Sequence, residues 1–224
     1  MAIRGPWESI VADGNYTVFQ SFELNLLAVR VFAGREEPFV ICVESPNGTA
    51  IVPTAVRHSD KSLRLLGEEL FDYRCVLHQG DPEILRSALA VLAQRELPLE
   101  IVAVRERAGR ALSGDLPLLP FCKAPAVRCL DISAHAFAGA HPHLARNMRR
   151  LDRLGFKLRR DSGENSGLLR SIYERKAAQD PNSLFHDSVR ADFMVNAAML
   201  LPELFEIVTL EDGNSMAAAL VVLH

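Results

Sequence analysis

Residues 39–52 read FVICVESPNGTAIV and residues 205–218 read FEIVTLEDGNSMAA. Each string is a β-rich run, then a turn cluster, then a second β-rich run. Asn47-Gly48 is the strongest short hairpin signal a sequence carries, and Glu211-Asp212-Gly213-Asn214 repeats the idea. The two strings align without a gap, and both place Phe two residues before Ile. Each is preceded by a stretch of helical periodicity, so the chain reads as helix then hairpin, twice, a weak internal repeat. The fold class that follows is α/β, of the α+β kind, with mixed, mostly antiparallel sheets flanked by helices.

Working outward from the first hairpin, residues 16–32 carry apolar side chains at Phe19, Phe22, Leu26, Leu27, Val29 and Phe32. That spacing predicts a helix with one buried face, stopped by Gly34. The return strand, 49–57, contains Pro53. Proline cannot donate to a ladder, which predicts an edge strand or a bulge. Residues 62–67 and 74–78 read as further short strands. Asp81-Pro82-Glu83 is a helix start: a capping carboxylate, a proline at the first helical position and an acid at the positive end of the dipole. The helix is expected to run to about Leu97, with Leu85, Ala88, Leu89 and Leu92 on the first sheet, and a buried strand follows over 98–104. Residues 105–126 have three prolines and little periodicity and are expected to form an irregular seam between two halves, with a strand at 127–132. Working outward from the second hairpin, helices are predicted over 142–154, closed by Gly155, over 166–179 and over 188–201. Strands are expected at 156–160 and 204–210.

The 224 residues are 49% apolar and 24% charged. That is ordinary globular composition and excludes a disordered or collagen-like chain. A net charge of -3 excludes recruitment of nucleic acid or anionic membrane by global charge. The four cysteines, Cys42, Cys75, Cys122 and Cys129, form no C-x-x-C pair, and three sit in apolar runs. They read as reduced, small hydrophobes. The opening MAIRGPWESIVADGNY has no apolar core of a secretory signal, and the apolar run 216–223 is far short of a membrane-spanning helix. A cytoplasmic chain is expected, without membrane insertion. The apolar strand that ends at His224 suggests a fragment of a longer protein.

No phosphate loop, G-x-G-x-x-G, H-E-x-x-H or G-x-S-x-G string is present. Three constellations stand out. The segment 141–160, HPHLARNMRRLDRLGFKLRR, sets seven cationic side chains against one carboxylate, a net +6. On a helical wheel Leu144, Met148, Leu151 and Leu154 face one way and Arg146, Arg149, Arg150 and Arg153 the other. The plain reading is a solvated amphipathic helix. The functional reading is a patch for a phosphate-bearing partner, since the guanidinium fork pairs with phosphate oxygens. No aromatic residue interleaves in the helix, so base stacking is unsupported. His186-Asp187 reads as a general base oriented by a carboxylate or, more plainly, as a loop histidine beside a helix cap. Asp72-Tyr73, after the 62–67 strand, reads as a substrate-binding pair or as a turn and a packing residue. No histidine has metal-ligand spacing.

Four stretches carry a resemblance: SFELNLLAVRVF (21–32), TAIVPTAV (49–56), SLRLLGEELFDYRCVL (62–77) and HLARNMRRLDRLGFKL (143–158). They resemble the GNAT acyltransferase superfamily, and more narrowly its CelD-like, cellulose-biosynthesis-associated members, relatives of the FemAB-type transferases. The resemblance implies a GNAT-like acyl-CoA N-acyltransferase fold in tandem: a first, degenerate unit at 15–132 and a second, incomplete unit at 133–224. It implies acyl transfer from acetyl-CoA or another acyl-CoA to an amine or hydroxyl acceptor, a small molecule or one linked to envelope polysaccharide. Asp72, Tyr73, Arg149 and Arg150 are the substrate-binding candidates; the catalytic residue stays unassigned. In such folds the CoA pyrophosphate sits on backbone amides of an R/Q-x-x-G-x-G/A loop that opens a helix. This chain has no such loop. Its nearest string, Arg64-Leu65-Leu66-Gly67-Glu68-Glu69, puts two carboxylates where the amides would have to be bare. No cofactor-binding residue is therefore assigned within the chain, and no metal. The alternative is a non-catalytic module that uses the basic helix of 141–160 for a phosphate-rich partner or RNA.

Overall fold

A computed structural model describes residues 2–14, 16–67, 70–71, 74–100, 143–213 and 215–223. The chain divides into two compact units, residues 1–122 and 123–224. The expected unit boundary at 132/133, the irregular seam and the strand at 127–132 lie outside the described residues, as does most of the strand expected at 98–104. The described residues form six α-helices and two sheets, mostly antiparallel.

The first unit opens with α1 (Arg4–Asp13), a helix the sequence pattern does not announce. Its buried residues are Trp7 and Ile10, three apart on one face, and Val11 packs half-buried beside them. The Trp7 indole Nε1 donates to the Gln20 carbonyl at 2.7 Å, which satisfies its only polar group. The helix expected over 16–32 is split. Val18–Gln20 is a 3-10 turn held by a Thr17/Gln20 capping box. Ser21 is extended, and its hydroxyl accepts from the Leu24 amide to start α2 (Phe22–Val31). Capping chemistry at Ser21 overrides the apolar period that continues through it.

The first hairpin pairs β1 (Glu36–Ser45) with β2 (Gly48–Arg57) in unbroken register, from Glu36 opposite Arg57 to Ser45 opposite Gly48. The two-residue turn is therefore Pro46-Asn47, one residue earlier than the Asn-Gly signal suggests. β2 is not an edge strand and has no bulge against β1, contrary to what Pro53 implies. On its far side β3 (Leu63–Leu65) pairs with Thr54–Val56 and β4 (Leu77–Gly80) with Gly48–Ile51. Pro53 falls at the handover between these two short strands. A residue's N and C=O point to the same side of a strand, and the Pro53 carbonyl accepts from the Leu66 amide at 2.8 Å. The missing donor therefore faces the gap and costs the β1 ladder nothing. At the other end of β2, Gly48 lies opposite Gly80. A Cβ on Gly48 would sit 2.2 Å from the Gln79 carbonyl oxygen, and its φ is +149°, so only glycine fits.

α3 (Pro82–Ala93) starts as expected: the Asp81 carboxylate accepts from the Glu83 amide at 3.0 Å, with proline at the first position. It stops at Ala93, short of Leu97, and the following Glu96 has a φ of +54°. Ile84, Leu85, Ala88, Leu89 and Leu92 bury against Ile41, Ala50, Val52, Leu63 and Val76. The alternate residues of the sheet, Ile51 and Leu77, bury against Trp7, Ile10 and Phe22. Helices thus cover both faces, and β5 (Leu99–Glu100) adds in parallel beside β3. Cys42 is half-buried and Cys75 buried, both as free thiols, and burial pushes the Cys42 thiol up.

The second unit begins with α4 (His143–Arg153), which ends before Gly155, a residue at φ +84°. β6 (Phe156–Ser162) follows, then α5 (Ser166–Gln179), a 3-10 turn (Leu184–His186), α6 (Ser188–Leu200) and the hairpin β7 (Phe205–Asp212) to β8 (Ser215–Leu223). The sheet order is β6-β7-β8, antiparallel throughout. Along β7, Phe205, Ile207 and Thr209 are buried, and the alternate Val208 and Leu210 are only half-buried. Val208 and Leu210 align with Leu220 and Leu158, both exposed, so this face of the sheet carries exposed apolar residues beside the Arg160–Glu206 ion pair.

Candidate functional site

A groove of about 370 Å³ runs between α5 and β8 in the second unit. Asn165 caps α5 by accepting from the Leu168 amide at 3.2 Å. The helix then presents Ile172, Tyr173, Lys176 and Gln179, spaced along one face, to the groove. From β8 the consecutive residues 216–221 all line it. A strand face would offer alternate residues, so the groove follows the outer edge of β8, which has no further strand partner among the described residues. Met194 and Phe185 complete an apolar wall.

Tyr173 is the unusual member. Its side chain is 4% exposed and its ring stacks on Phe185 with centroids 4.2 Å apart. Its hydroxyl has no hydrogen-bond partner among the described residues. Burial alone pushes the phenol up to about 12, so the group stays protonated across the physiological range. The rim cations are already engaged: Arg175 Nη1 donates to the Met216 carbonyl at 2.7 Å, and Lys176 pairs with Asp180 at 2.7 Å. The Lys176 hydrogen bond, with the Asn182 amide, holds Asp180 below the usual carboxylate range. This groove can hold an apolar body. No sequence motif points to it, because its walls come from five separate elements.

Of the residues singled out from sequence, Arg149 and Arg150 lie exposed on α4 with Arg146 and Arg153. Arg153 Nε donates to the Arg149 carbonyl at 3.1 Å. The arginines of β6 are tied down, Arg159 to Asp161 and Arg160 to Glu206, each at 2.9 Å. Asp72 and Tyr73 lie outside the described residues; their neighbour Phe71 is buried against Gly67. Asp187 caps α6, accepting from the Val189 amide at 3.1 Å, and His186 Nε2 lies 3.0 Å from the Asp180 carbonyl. Arg64 pairs with Glu100 at 2.5 Å, while Glu68 and Glu69 lie outside the described residues. Among the described residues no three His, Cys, Asp or Glu side chains gather as a metal site, and no helix is long and apolar enough to cross a membrane. No family model, curated protein or solved structure matches the chain.

Proposed function

We propose that the chain is part of a GNAT-type acyltransferase of the CelD-like kind, moving an acetyl or other acyl group from acyl-CoA to an amine or hydroxyl acceptor of the sort linked to envelope polysaccharide. The observation that carries this reading is the strand order of the second unit. A strand, two helices and a hairpin make one antiparallel sheet, β6-β7-β8, which agrees with the opening strands of such a unit. In the reaction the acceptor loses a proton to a base, its nitrogen or oxygen attacks the thioester carbonyl carbon, and CoA leaves as the thiolate. The groove beside β8 suits the apolar part of a substrate. The first unit is a structural copy in this reading. Its helix after β4 starts with the Asp81 carboxylate on the Glu83 amide, a proline without N–H, and a second acid at Glu83. A pyrophosphate needs bare amides there. The test is acceptor-dependent release of CoA thiol from acetyl-CoA by the whole gene product, followed with a thiol reagent across amines, amino sugars and glycans. Release that no acceptor accelerates overturns the reading.

A second reading, a module that docks a phosphate-rich partner on residues 141–160, has one observation in its favour. Arg146, Arg149, Arg150 and Arg153 are all exposed on a single helix. Binding to such a partner that falls steeply with salt, and that Arg149→Glu with Arg150→Glu abolishes, supports it. Salt-independent binding, or none, removes it.

A further inference from the structure

The second reading can be taken to a partner. Every other described α-helix buries at least two side chains. In α4, among residues whose side chains are described, Leu151 alone is half-buried and the rest are exposed. An 11-residue helix is below the length at which helices stand alone in water, and tertiary burial normally makes up the difference. Its apolar and cationic residues segregate to opposite faces more sharply than in the other helices. The apolar face is open: Met148 is 42% and Leu154 59% exposed, and Leu158 just beyond the Gly155 turn is 56% exposed. On the other face Arg146 and Arg150 make no ion pair among the described residues, in contrast to Arg159 and Arg160.

We propose that α4 lies in the surface of an anionic phospholipid bilayer, with Met148, Leu151 and Leu154 at the boundary between headgroups and acyl chains and the arginines on lipid phosphates. This inference rests on the second reading and names the partner of that same helix. A helix with a charged face, an apolar face and low net hydrophobicity is the form that binds at an interface rather than across it. Arginines on the flanks reach back to the phosphates along their apolar stems. The open apolar stripe decides between bilayer and RNA. A polynucleotide would engage the arginines and leave Met148 and Leu154 in water, and the helix has no aromatic ring on which a base could stack. The chain's net charge of -3 does not oppose this, because attraction to a charged surface is local within a Debye length.

The experiment is co-sedimentation of the full chain with vesicles of phosphatidylcholine containing about one-third phosphatidylglycerol, and with phosphatidylcholine alone. Binding to the anionic vesicles only, weakening as salt rises, is expected. Met148→Ser with Leu154→Ser keeps the charge and should weaken binding roughly tenfold, and Arg149→Gln with Arg150→Gln should weaken it as well. These positions are exposed, and circular dichroism checks that both variants keep the fold. No binding to anionic vesicles overturns the inference. So does a serine variant that binds as well as the parent. If the chain ignores vesicles but binds polyuridylate through the arginines, the inference falls and the phosphate-partner reading survives; if it binds neither, both fall. The acyl-transfer reading is untouched in every case, because no acyl donor is present.

Discussion

Tyr173 keeps a buried hydroxyl that has no hydrogen-bond partner among the described residues. Tyr173→Phe removes that group and leaves the ring on Phe185, so stability should stay level or rise, by up to about 1–3 kcal/mol. Thermal unfolding measures it, and a clear loss would mean that the hydroxyl is satisfied. The same residue sets a pH dependence. Its folded value, about 12, lies above the unfolded value of 10.0. The stabilisation from keeping the phenol neutral is therefore complete below pH 10 and is lost as pH rises through 12. Between those limits the parent should lose stability faster than Tyr173→Phe. In the first unit, Leu89 is 2% exposed in the α3 interface, and Leu89→Ala should cost about 2–5 kcal/mol in chemical denaturation. At this scale the sequence was informative where a side chain answers to its neighbours in the chain. Asp187 reads as a cap from the residues after it, and it is one. Tyr173 is silent, because its ring partner Phe185 lies beyond its own helix and the rest of its groove is built by α6, β7 and β8.

The starts of α3, α5 and α6 were legible, while those of α1 and α2 were not. Asp81-Pro82-Glu83 carries its own capping chemistry, and Asp81→Ala should cost about 0.5–2 kcal/mol, read from the denaturation midpoint. α5 and α6 fall almost to the residue where the helices over 166–179 and 188–201 were expected. The hairpins were legible too, but the details inside them were not. A substitution Gly48→Ala should destabilise by more than about 1 kcal/mol, because of a carbonyl on β4 that no local pattern reveals. Full stability in that variant would mean that β4 shifts to make room. Pro53 was misleading for the same reason. The rule that proline marks an edge assumes one continuous neighbour on each side, and here two short strands share one side of β2. α1 escaped notice because its apolar residues, Trp7, Ile10, Val11 and Ala12, are too few and too bunched to show a period.

At the level of the whole molecule, the chain of residues 1–224 should show no saturable binding of acetyl-CoA at micromolar concentrations in calorimetric titration. The sequence holds no R/Q-x-x-G-x-G/A loop, and the helix start that follows β4 is filled by its own carboxylates. Micromolar binding would make the first unit a working donor site. The basic patch was legible from sequence because its charges are contiguous, and the β8 groove was not because five elements build it. The architecture also bears on synthesis. Strands β1 to β4 all fall within residues 36–80, and β1 meets β2 across a two-residue turn. Contacts this local form early. As the nascent chain leaves the ribosome, four strands of the first sheet can zip before any of α3 has emerged. The β1–β2 ladder then waits as a template, and β5, the last described strand of the first unit, adds in parallel beside β3 only after the helix has emerged.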